Sequence, residues 1–379
     1  TMATALTRVV TFAAAIALPL PATAAAQQPS IANGQVTSQP AGTPFPQSFR
    51  GLVSSQAEIG WIGYSVPVVD RQRFMCCDGR TSDGDVTSYN GVVIGDGSAW
   101  GRCRLEPRTA GGPAPALTTP PTGAPAAVQL EGSDRIIVLF RVVERKVERI
   151  RVVSADCALD AGGRPVRWLE SVRAGDSVAL LESMATDVDG GNRAADGAIM
   201  AIALHGDAGA DSALDRLSGS GQPESVRRKV TFWLGNARGR RGFDALRKIM
   251  RDDPSIEVRK SAVFGLSQSR VPETIDALAA IARTDNEPRL RSEALFWLAQ
   301  KAGRKAAEAI TERIEQDPDT DVKKKAVFAL SQLPKEEGVP LLINVARTNT
   351  NPAVRKQAMF WLGQSKDPRA VDFFTQVLK

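Results

Sequence analysis

The amino-acid sequence predicts an all-α solenoid of stacked helix pairs preceded by a small β-rich module. Two observations lead to this fold class. One pattern recurs five times in the second half of the chain, and strand-like segments occupy much of the first half. The chain has 379 residues, of which 43% are hydrophobic and 24% charged. This composition is typical of a globular protein with two or three units.

The amino terminus has the pattern of a secretory signal peptide. Arg8 precedes an apolar run from Val9 to Leu20, and small residues fill positions 22–26. A basic residue, about a dozen apolar residues and an A-x-A sequence are the three parts of such a signal. We therefore expect residues 1–26 to be removed and the protein to be periplasmic or secreted. The sequence has no run of 18 apolar residues, so we expect no membrane span.

The next part of the chain changes character at about residue 50. Residues 27–50 are rich in Pro, Gln, Ser and Gly, which predicts a disordered segment. Within residues 51–190, two strand-like segments at 135–143 and 147–153 flank a polar turn at 144–146, which is typical of a β-hairpin. The Pro/Ala-rich stretch 106–132 cannot build a packed core and predicts a loop. We expect residues 51–190 to form a β-rich module.

All four cysteines lie in this module, at Cys76, Cys77, Cys103 and Cys157. An even number of cysteines in an exported protein favours two disulfides. A bond between the adjacent Cys76 and Cys77 would be strained, so two of the three connectivities remain open. A four-thiolate metal site is disfavoured because the sequence has no C-x-x-C spacing.

Residues 191–379 contain an internal repeat. The pattern begins at Val226, Val258, Leu290, Val322 and Val354, always 32 residues apart, and a weaker copy begins at Ala194. A fixed period of this length predicts a solenoid of supersecondary units. In the unit from Val258, apolar residues at the fourth, seventh and eighth following positions form one helical stripe. A break at Pro272 separates it from a second stripe. Each unit is therefore predicted to be an antiparallel helix pair.

The units share the core Val-Arg-x-x-Ala-x-x-x-Leu and follow acidic-proline turns such as Asp252-Asp253-Pro254 and Asp317-Pro318-Asp319. These features resemble short HEAT repeats, the type called phycobilisome-lyase HEAT-like repeats, over residues 191–379. The resemblance implies a protein-binding scaffold, because lyases and a di-iron hydroxylase are enzymatic minorities in that family. The hydroxylase needs His-Glu motifs, and this chain has a single histidine, His205.

A cationic residue follows the first residue of each unit. The resemblance implies that these side chains bond acidic turn residues of neighbouring units and form a structural ladder. They are Arg227, Arg259, Arg291, Lys323 and Arg355.

The position seven residues after the first residue of each unit alternates between large and small side chains. It holds Trp233, Gly265, Trp297, Ala329 and Trp361. Because this position lies on the apolar stripe, the alternation predicts core packing of a large ring against a small residue of the next unit.

The position six residues after the first residue of each unit faces away from the apolar stripe, and it holds phenylalanine in every clear unit. Basic residues stand mostly one turn before it, and amides stand one turn after it. Phenylalanines offer apolar slots, and amides can hydrogen-bond an extended peptide. Lateral packing of these side chains between helices is the alternative interpretation. The predicted partner-binding residues are those of the middle units: Lys260, Phe264, Gln268, Phe296, Gln300, Lys324, Phe328 and Gln332.

Charge is unevenly distributed between the two halves. Residues 191–379 carry 31 Lys and Arg against 24 Asp and Glu, whereas residues 27–190 carry 16 against 18. A basic solenoid favours an extended or acidic protein segment as its partner. Export disfavours nucleic acid, despite the isoelectric point of about 9.3.

The sequence provides no catalytic constellation. A single histidine excludes multi-histidine metal sites, and we expect His205 to cap the end of a helix. The favoured hypothesis is an exported non-catalytic scaffold without a cofactor. The alternatives are an envelope enzyme with a cysteine-based redox site and a binder of an anionic envelope polymer. Oligomeric state and partner identity remain open.

Overall fold

The computed structural model describes residues 29–70, 103–106, 133–186 and 192–378. The predicted signal peptide, the cysteines Cys76 and Cys77 and nearly all of the predicted loop at 106–132 lie outside the described residues. The expectations for these segments therefore stay predictions.

A five-stranded sheet organises the first region. The elements, in chain order, are β1 (Ile31–Ala32), β2 (Val36–Pro40), α1 (Phe45–Ser55), β3 (Gly60–Pro67), β4 (Cys103–Arg104), β5 (Arg135–Val143), β6 (Lys146–Ser154), β7 (Leu159–Asp160) and β8 (Val166–Glu170). The larger sheet has the order β2-β8-β3-β5-β6, and a small sheet has the order β1-β7-β4. The predicted hairpin is confirmed as β5 and β6, and Glu144 and Arg145 adopt positive φ angles of 50° and 62° in its tight turn.

The two faces of the larger sheet belong to different cores. Alternate side chains such as Tyr64 and Phe140 face the helices, whereas Trp61 and Trp168 face the small sheet. The second core also contains Cys103 and Cys157, which are 1% and 2% exposed. Both of these cysteines are disulfide-bonded.

The disordered segment predicted for residues 27–50 is wrong over its described part, residues 29–50. Strands β1 and β2 pair with β7 and β8, and α1 begins at Phe45. The cause is an apolar stripe that Phe45, Phe49 and Val53 form at helical spacing and bury against the sheet. Polar composition around this stripe concealed it.

Thirteen further helices follow in the described part of the chain. They are α2 (Ala174–Ala185), α3 (Asn192–Leu204), α4 (Gly209–Leu217), α5 (Glu224–Ala237), α6 (Gly239–Asp252), α7 (Ile256–Gln268), α8 (Thr274–Thr284), α9 (Pro288–Ala302), α10 (Ala307–Gln316), α11 (Thr320–Ser331), α12 (Lys335–Thr348), α13 (Pro352–Gln364) and α14 (Pro368–Val377). No helix among the described residues is long and apolar enough to cross a membrane.

The helix pairs form two layers. Helices α5, α7, α9, α11 and α13 pack side by side and form the inner layer, and the even-numbered helices from α6 to α14 form the outer layer. Neighbouring inner helices pack more extensively than neighbouring outer helices. Helices α5 and α7 approach closely, because a Cβ on Gly265 would clash with the carbonyl oxygen of Thr231.

The sheet and the solenoid share one hydrophobic core. Helix α3 packs on β6, and a Cβ on Gly197 would clash with the carbonyl oxygen of Ile150. The chain leaving β3 also bonds the end of α3, where the Val69 N–H donates to the Leu204 carbonyl at 2.9 Å. The boundary expected at residue 191 is therefore a change of secondary structure within a continuous core.

Candidate interaction surface

The turn edge of the solenoid carries the arginine ladder. Arg259 Nη2 lies 2.7 Å from Asp285 Oδ2, and Arg291 bonds both oxygens of Asp317 at 2.7 and 2.8 Å. Arg227 makes the equivalent bond to Asp253 at 3.2 Å. These pairs confirm the acidic partners that the family resemblance implies for three units.

The ladder aspartates also shape the turns between units. Asp317 Oδ1 accepts the Asp319 N–H at 2.9 Å, and Asp285 Oδ1 accepts the Glu287 N–H at the same distance. Burial opposes ionisation of Asp317, but the hydrogen bonds from Arg291 and the Asp319 N–H outweigh it. The pKa of Asp317 is therefore held below its usual value of 3.8. This edge of the molecule is saturated with internal bonds.

The remaining ladder cations bond carbonyl oxygens. Lys323 Nζ donates to the Glu315 carbonyl at 2.8 Å, and Arg355 Nη1 donates to the Asn349 carbonyl at 2.8 Å. These two side chains fasten the turn that precedes their own helix.

The phenylalanines of the inner helices stack in a row. The ring centroids of Phe232 and Phe264 are 5.8 Å apart, and those of Phe296 and Phe328 are 6.0 Å apart with an interplanar angle of 4°. Each of these rings is partly buried, and Phe360 at the end of the row is 53% exposed. The rings therefore pack laterally and still present apolar surface to solvent.

The tryptophans pack against the hydrophobic core, as their alternation with small residues predicts, and they also join this row. Trp297 lies 4.8 Å from the Phe264 ring and 4.8 Å from the Phe296 ring, measured between centroids. Trp361 lies 4.9 Å from Phe328 in the same way. All three repeat tryptophans are partly buried. Small residues such as Gly265 serve close helix packing.

The predicted basic residues flank the row on the inner face. Lys260 Nζ lies 3.9 Å from Glu257 Oε2, and Lys324 Nζ lies 2.9 Å from Asp321 Oδ1. Both pairs lie within one helix turn and are well exposed. Exposed ion pairs of this kind contribute little to stability. Both ammonium groups can therefore leave their carboxylates to contact a ligand.

The predicted amides lie at the other end of the row. Gln300 Nε2 donates to Gln332 Oε1 at 3.4 Å, which joins α9 to α11. The Nε2 groups of Gln268 and Gln332 each donate to the preceding serine hydroxyl, at 3.0 and 3.1 Å. The structure thus brings the eight predicted residues together on one face of α7, α9 and α11. We call this face, with its tryptophans, the aromatic face.

The aromatic face contains residues that the sequence pattern did not predict for it. Trp297 and Trp361 complete the stacking between helices, although both belong to the stripe side in a helical projection. Each directly follows a phenylalanine of the row, and that adjacency was the available signal. A large ring at the edge of the apolar stripe extends beyond the angular position that its Cα has in a helical projection.

His205 takes a different role from the helix cap expected for it. It is fully buried at the end of α3, and its Nδ1 accepts the Asp207 N–H at 3.2 Å. Its Nε2 has no hydrogen-bond partner. Burial, with smaller contributions from Arg238 and Arg135, lowers the pKa of His205 to about 4. A neutral imidazole therefore fills the junction between sheet and solenoid, and it accepts a backbone N–H instead of capping carbonyls.

Within the described residues, no three His, Cys, Asp or Glu side chains lie close enough together to hold a metal ion.

Comparison with known proteins identifies the repeats. The family model for HEAT repeats matches residues 210–299 and 307–379. No curated protein matches the sequence significantly.

Several solved structures match parts of the chain. The CpcE–CpcF complex of phycocyanin lyase from Nostoc sp. has 22% identity and a TM-score of 0.32, covering 41% of this chain and 99% of that chain. Human deoxyhypusine hydroxylase has 19% identity and a TM-score of 0.24, covering 54% of this chain and 90% of that one. The Escherichia coli protein YibA has 24% identity and a TM-score of 0.32, covering 45% of this chain and 64% of that one. At these levels the matches do not indicate a shared function.

Proposed function

We propose that the protein is a scaffold whose solenoid binds a partner protein along the aromatic face, and the match of the HEAT-repeat family model to residues 210–299 and 307–379 supports this proposal. The observation that carries this proposal is the stacked, partly exposed aromatic row between lysines and amides. Aromatic rings supply contact area with little loss of side-chain entropy, and they are enriched among residues that dominate binding energy.

The chemistry of the face favours an extended segment. Gln268, Gln300 and Gln332 follow one another across three helices and carry both donors and acceptors. A peptide in extended conformation leaves its own backbone groups free to meet such a series. The solenoid carries seven more basic than acidic residues, so acidic side chains in the segment speed its association.

Export is part of the proposal. The pattern of residues 1–26 supports it, and the disulfide-bonded state of Cys103 and Cys157 is compatible with an oxidising compartment. Amino-terminal sequencing of the protein from its native cells is expected to begin near residue 27. An amino terminus within the first 26 residues would contradict export by this signal.

A scaffold role fits the described cysteines better than a redox role does. Cys103 and Cys157 are buried and disulfide-bonded, whereas a redox site needs an accessible thiol of low pKa. The same experiment tests binding of an anionic envelope polymer. The affinity for such a polymer would depend more on the lysines of the aromatic face than on its rings.

The test is truncation of the aromatic face. The partner is captured from an envelope extract with the wild-type protein, and its affinity for variants is measured by calorimetry. Phe296→Ala and Phe328→Ala are each expected to weaken binding by about 1 kcal/mol or more, as exposed anchors do. Phe374→Ala is the matched control, because this partly buried ring lies in the outer layer on α14. It should leave affinity unchanged.

Thermal unfolding of the same variants separates binding from packing. If Phe296→Ala and Phe328→Ala lower the melting temperature but leave the affinity per folded molecule unchanged, the rings are lateral packing and the proposal fails. Lys260→Ala and Lys324→Ala are expected mainly to slow association and reduce its salt dependence.

A further inference from the structure

A cavity of about 260 Å³ opens at one rim of the aromatic face. The ends of α11 and α13 and the first turns of α12 surround it, and its walls include Ser331, Leu333, Leu342, Trp361 and Ser365. Pockets for drug-sized ligands are usually about 300–1,000 Å³. We call this cavity the rim pocket, and its size suits a single side chain.

Trp361, whose side chain lines the rim pocket, has an unused indole donor. Its Nε1 is buried and has no hydrogen-bond partner. The equivalent residue two units earlier, Trp297, donates from Nε1 to Glu293 Oε1 at 2.7 Å. The position that matches Glu293 holds Gln357, which makes no such bond to Trp361. A buried donor without a partner is costly, so an acceptor from a ligand would stabilise it.

The earlier unit also shows which group occupies the equivalent place. Lys301 extends from the end of α9 to the end of α7, where its Nζ donates to the carbonyls of Ser267 and Ser269 at 2.9 and 2.8 Å. Sixty-four residues later, Ser365 replaces this lysine. The carbonyls that match those of Ser267 and Ser269 belong to Ser331 and Leu333, both of which line the rim pocket.

The electrostatics of the rim pocket favour a cation. The carboxyl ends of α11 and α13 meet there, and each helix ends with carbonyls that lack intrahelical partners. The Trp361 ring offers a face for a cation–π contact. Lys335 also lines the pocket, but its side chain is exposed at the mouth, where water screens its charge.

We propose that the rim pocket binds a lysine side chain of the partner protein. The ammonium group takes the place that Lys301 occupies two units earlier, its methylene chain lies against Trp361 and Leu342, and a carbonyl of the same segment accepts the Trp361 N–H. This inference rests on the proposed function only in assigning the lysine to the partner that covers the aromatic face.

The test uses a small probe, so its outcome is independent of partner capture. N-acetyl-lysine-N-methylamide is titrated into the full-length protein labelled with ¹⁵N, and the indole N–H signal of Trp361 is followed by NMR. A Trp361→Phe variant assigns that signal. We expect a saturable shift at millimolar probe concentration. The norleucine analogue, which lacks the ammonium group, is expected to bind at least fivefold more weakly.

Exchange of the two equivalent residues gives matched variants. Ser365→Lys rebuilds the arrangement of Lys301 and is expected to weaken probe binding at least tenfold, with an unchanged melting temperature. The double variant Lys301→Ser, Glu293→Gln copies the rim pocket into the earlier unit, and the probe is then expected to shift the Trp297 indole signal as well.

Three outcomes would overturn the proposal. Equal binding of the norleucine analogue would make the pocket an apolar slot. N-acetyl-glutamate-N-methylamide is titrated in the same way, and its stronger binding would make the pocket an anion site. Unchanged binding by a folded Ser365→Lys variant would place the probe elsewhere. None of these results bears on the Phe296 and Phe328 variants, which test the proposed function.

Discussion

The turn edge of the solenoid and its aromatic face recur with the same 32-residue period, but they differ in how completely their polar and apolar groups are satisfied. Arg291 is 6% exposed and meets both oxygens of Asp317, which is 1% exposed. The phenylalanines only one turn away along the same helices keep part of their rings in solvent. Recurrence within the chain therefore does not by itself separate structural residues from binding residues.

Burial and internal partners separate them. A saturated, buried pair cannot offer its bonds to a ligand without unfolding its turn, whereas a partly exposed ring gains area on binding. The comparison predicts that substitutions at the turn edge mainly affect stability, and that substitutions on the aromatic face affect stability less than binding.

The largest expected effect is at the turn edge. Arg291→Ala leaves the Asp317 carboxylate buried and unpaired, which is expected to lower the free energy of unfolding by about 3–5 kcal/mol. Urea unfolding followed by circular dichroism measures this. Arg355→Ala is the control, because Arg355 donates to the carbonyls of Asn349 and Thr350 and should cost about 1 kcal/mol. If both variants lower the free energy of unfolding equally, pairing with a buried carboxylate does not stabilise the solenoid more than hydrogen bonding to turn carbonyls does.

The next effect concerns pH and the junction between sheet and solenoid. The pKa of His205 is about 4 in the folded protein, whereas a free histidine has an ordinary pKa of 6.5. Below pH 6.5, His205 therefore binds a proton in the unfolded chain, whereas in the folded protein it stays neutral down to about pH 4. Stability is expected to fall by about 1.4 kcal/mol per pH unit down to pH 4, about 3 kcal/mol in total.

His205 is the single histidine of the chain, so its C2–H NMR signal gives a direct check. In the folded protein this signal should not titrate between pH 8 and pH 5, whereas in concentrated urea it should titrate near 6.5. Asp317 acts in a separate window. Its folded pKa is depressed, so its contribution is present above 3.8 and is lost as the pH falls through the lowered value. Titration of folded His205 near 6.5 would contradict the buried junction.

The smallest of the three effects lies on the aromatic face. Trp297 is partly buried between two phenylalanine rings, so Trp297→Ala is expected to destabilise by about 2 kcal/mol, less than the 3–5 kcal/mol for a fully buried ring. Trp297→Phe should recover most of the loss because it keeps a stacked ring. A loss as large as that of Arg291→Ala would make this face a second core and weaken its assignment as a binding surface.

The sequence predicted the repeat and the hairpin because both follow from local spacing, whereas the acidic partners of the ladder were implied by the resemblance to HEAT repeats. Helix and strand periods and a cation one position after each Val or Leu can be read from the chain alone. Helix α1 was missed because its short stripe of Phe45, Phe49 and Val53 lies among polar residues. The stripe is buried only because it packs against the sheet.

The sequence by itself determined that the second half of the chain is a HEAT-like stack, and that the repeat phenylalanines share a face with the basic residues and amides one turn away, because both depend on periodicity along one helix. The tertiary structure decided how those faces are used. It stacked Trp297 on Phe264 from another helix, merged the sheet with the solenoid through α3 and β6, and left the rim pocket open beside Trp361. Each of these depends on distances between residues far apart in the chain, which packing fixes and periodicity does not.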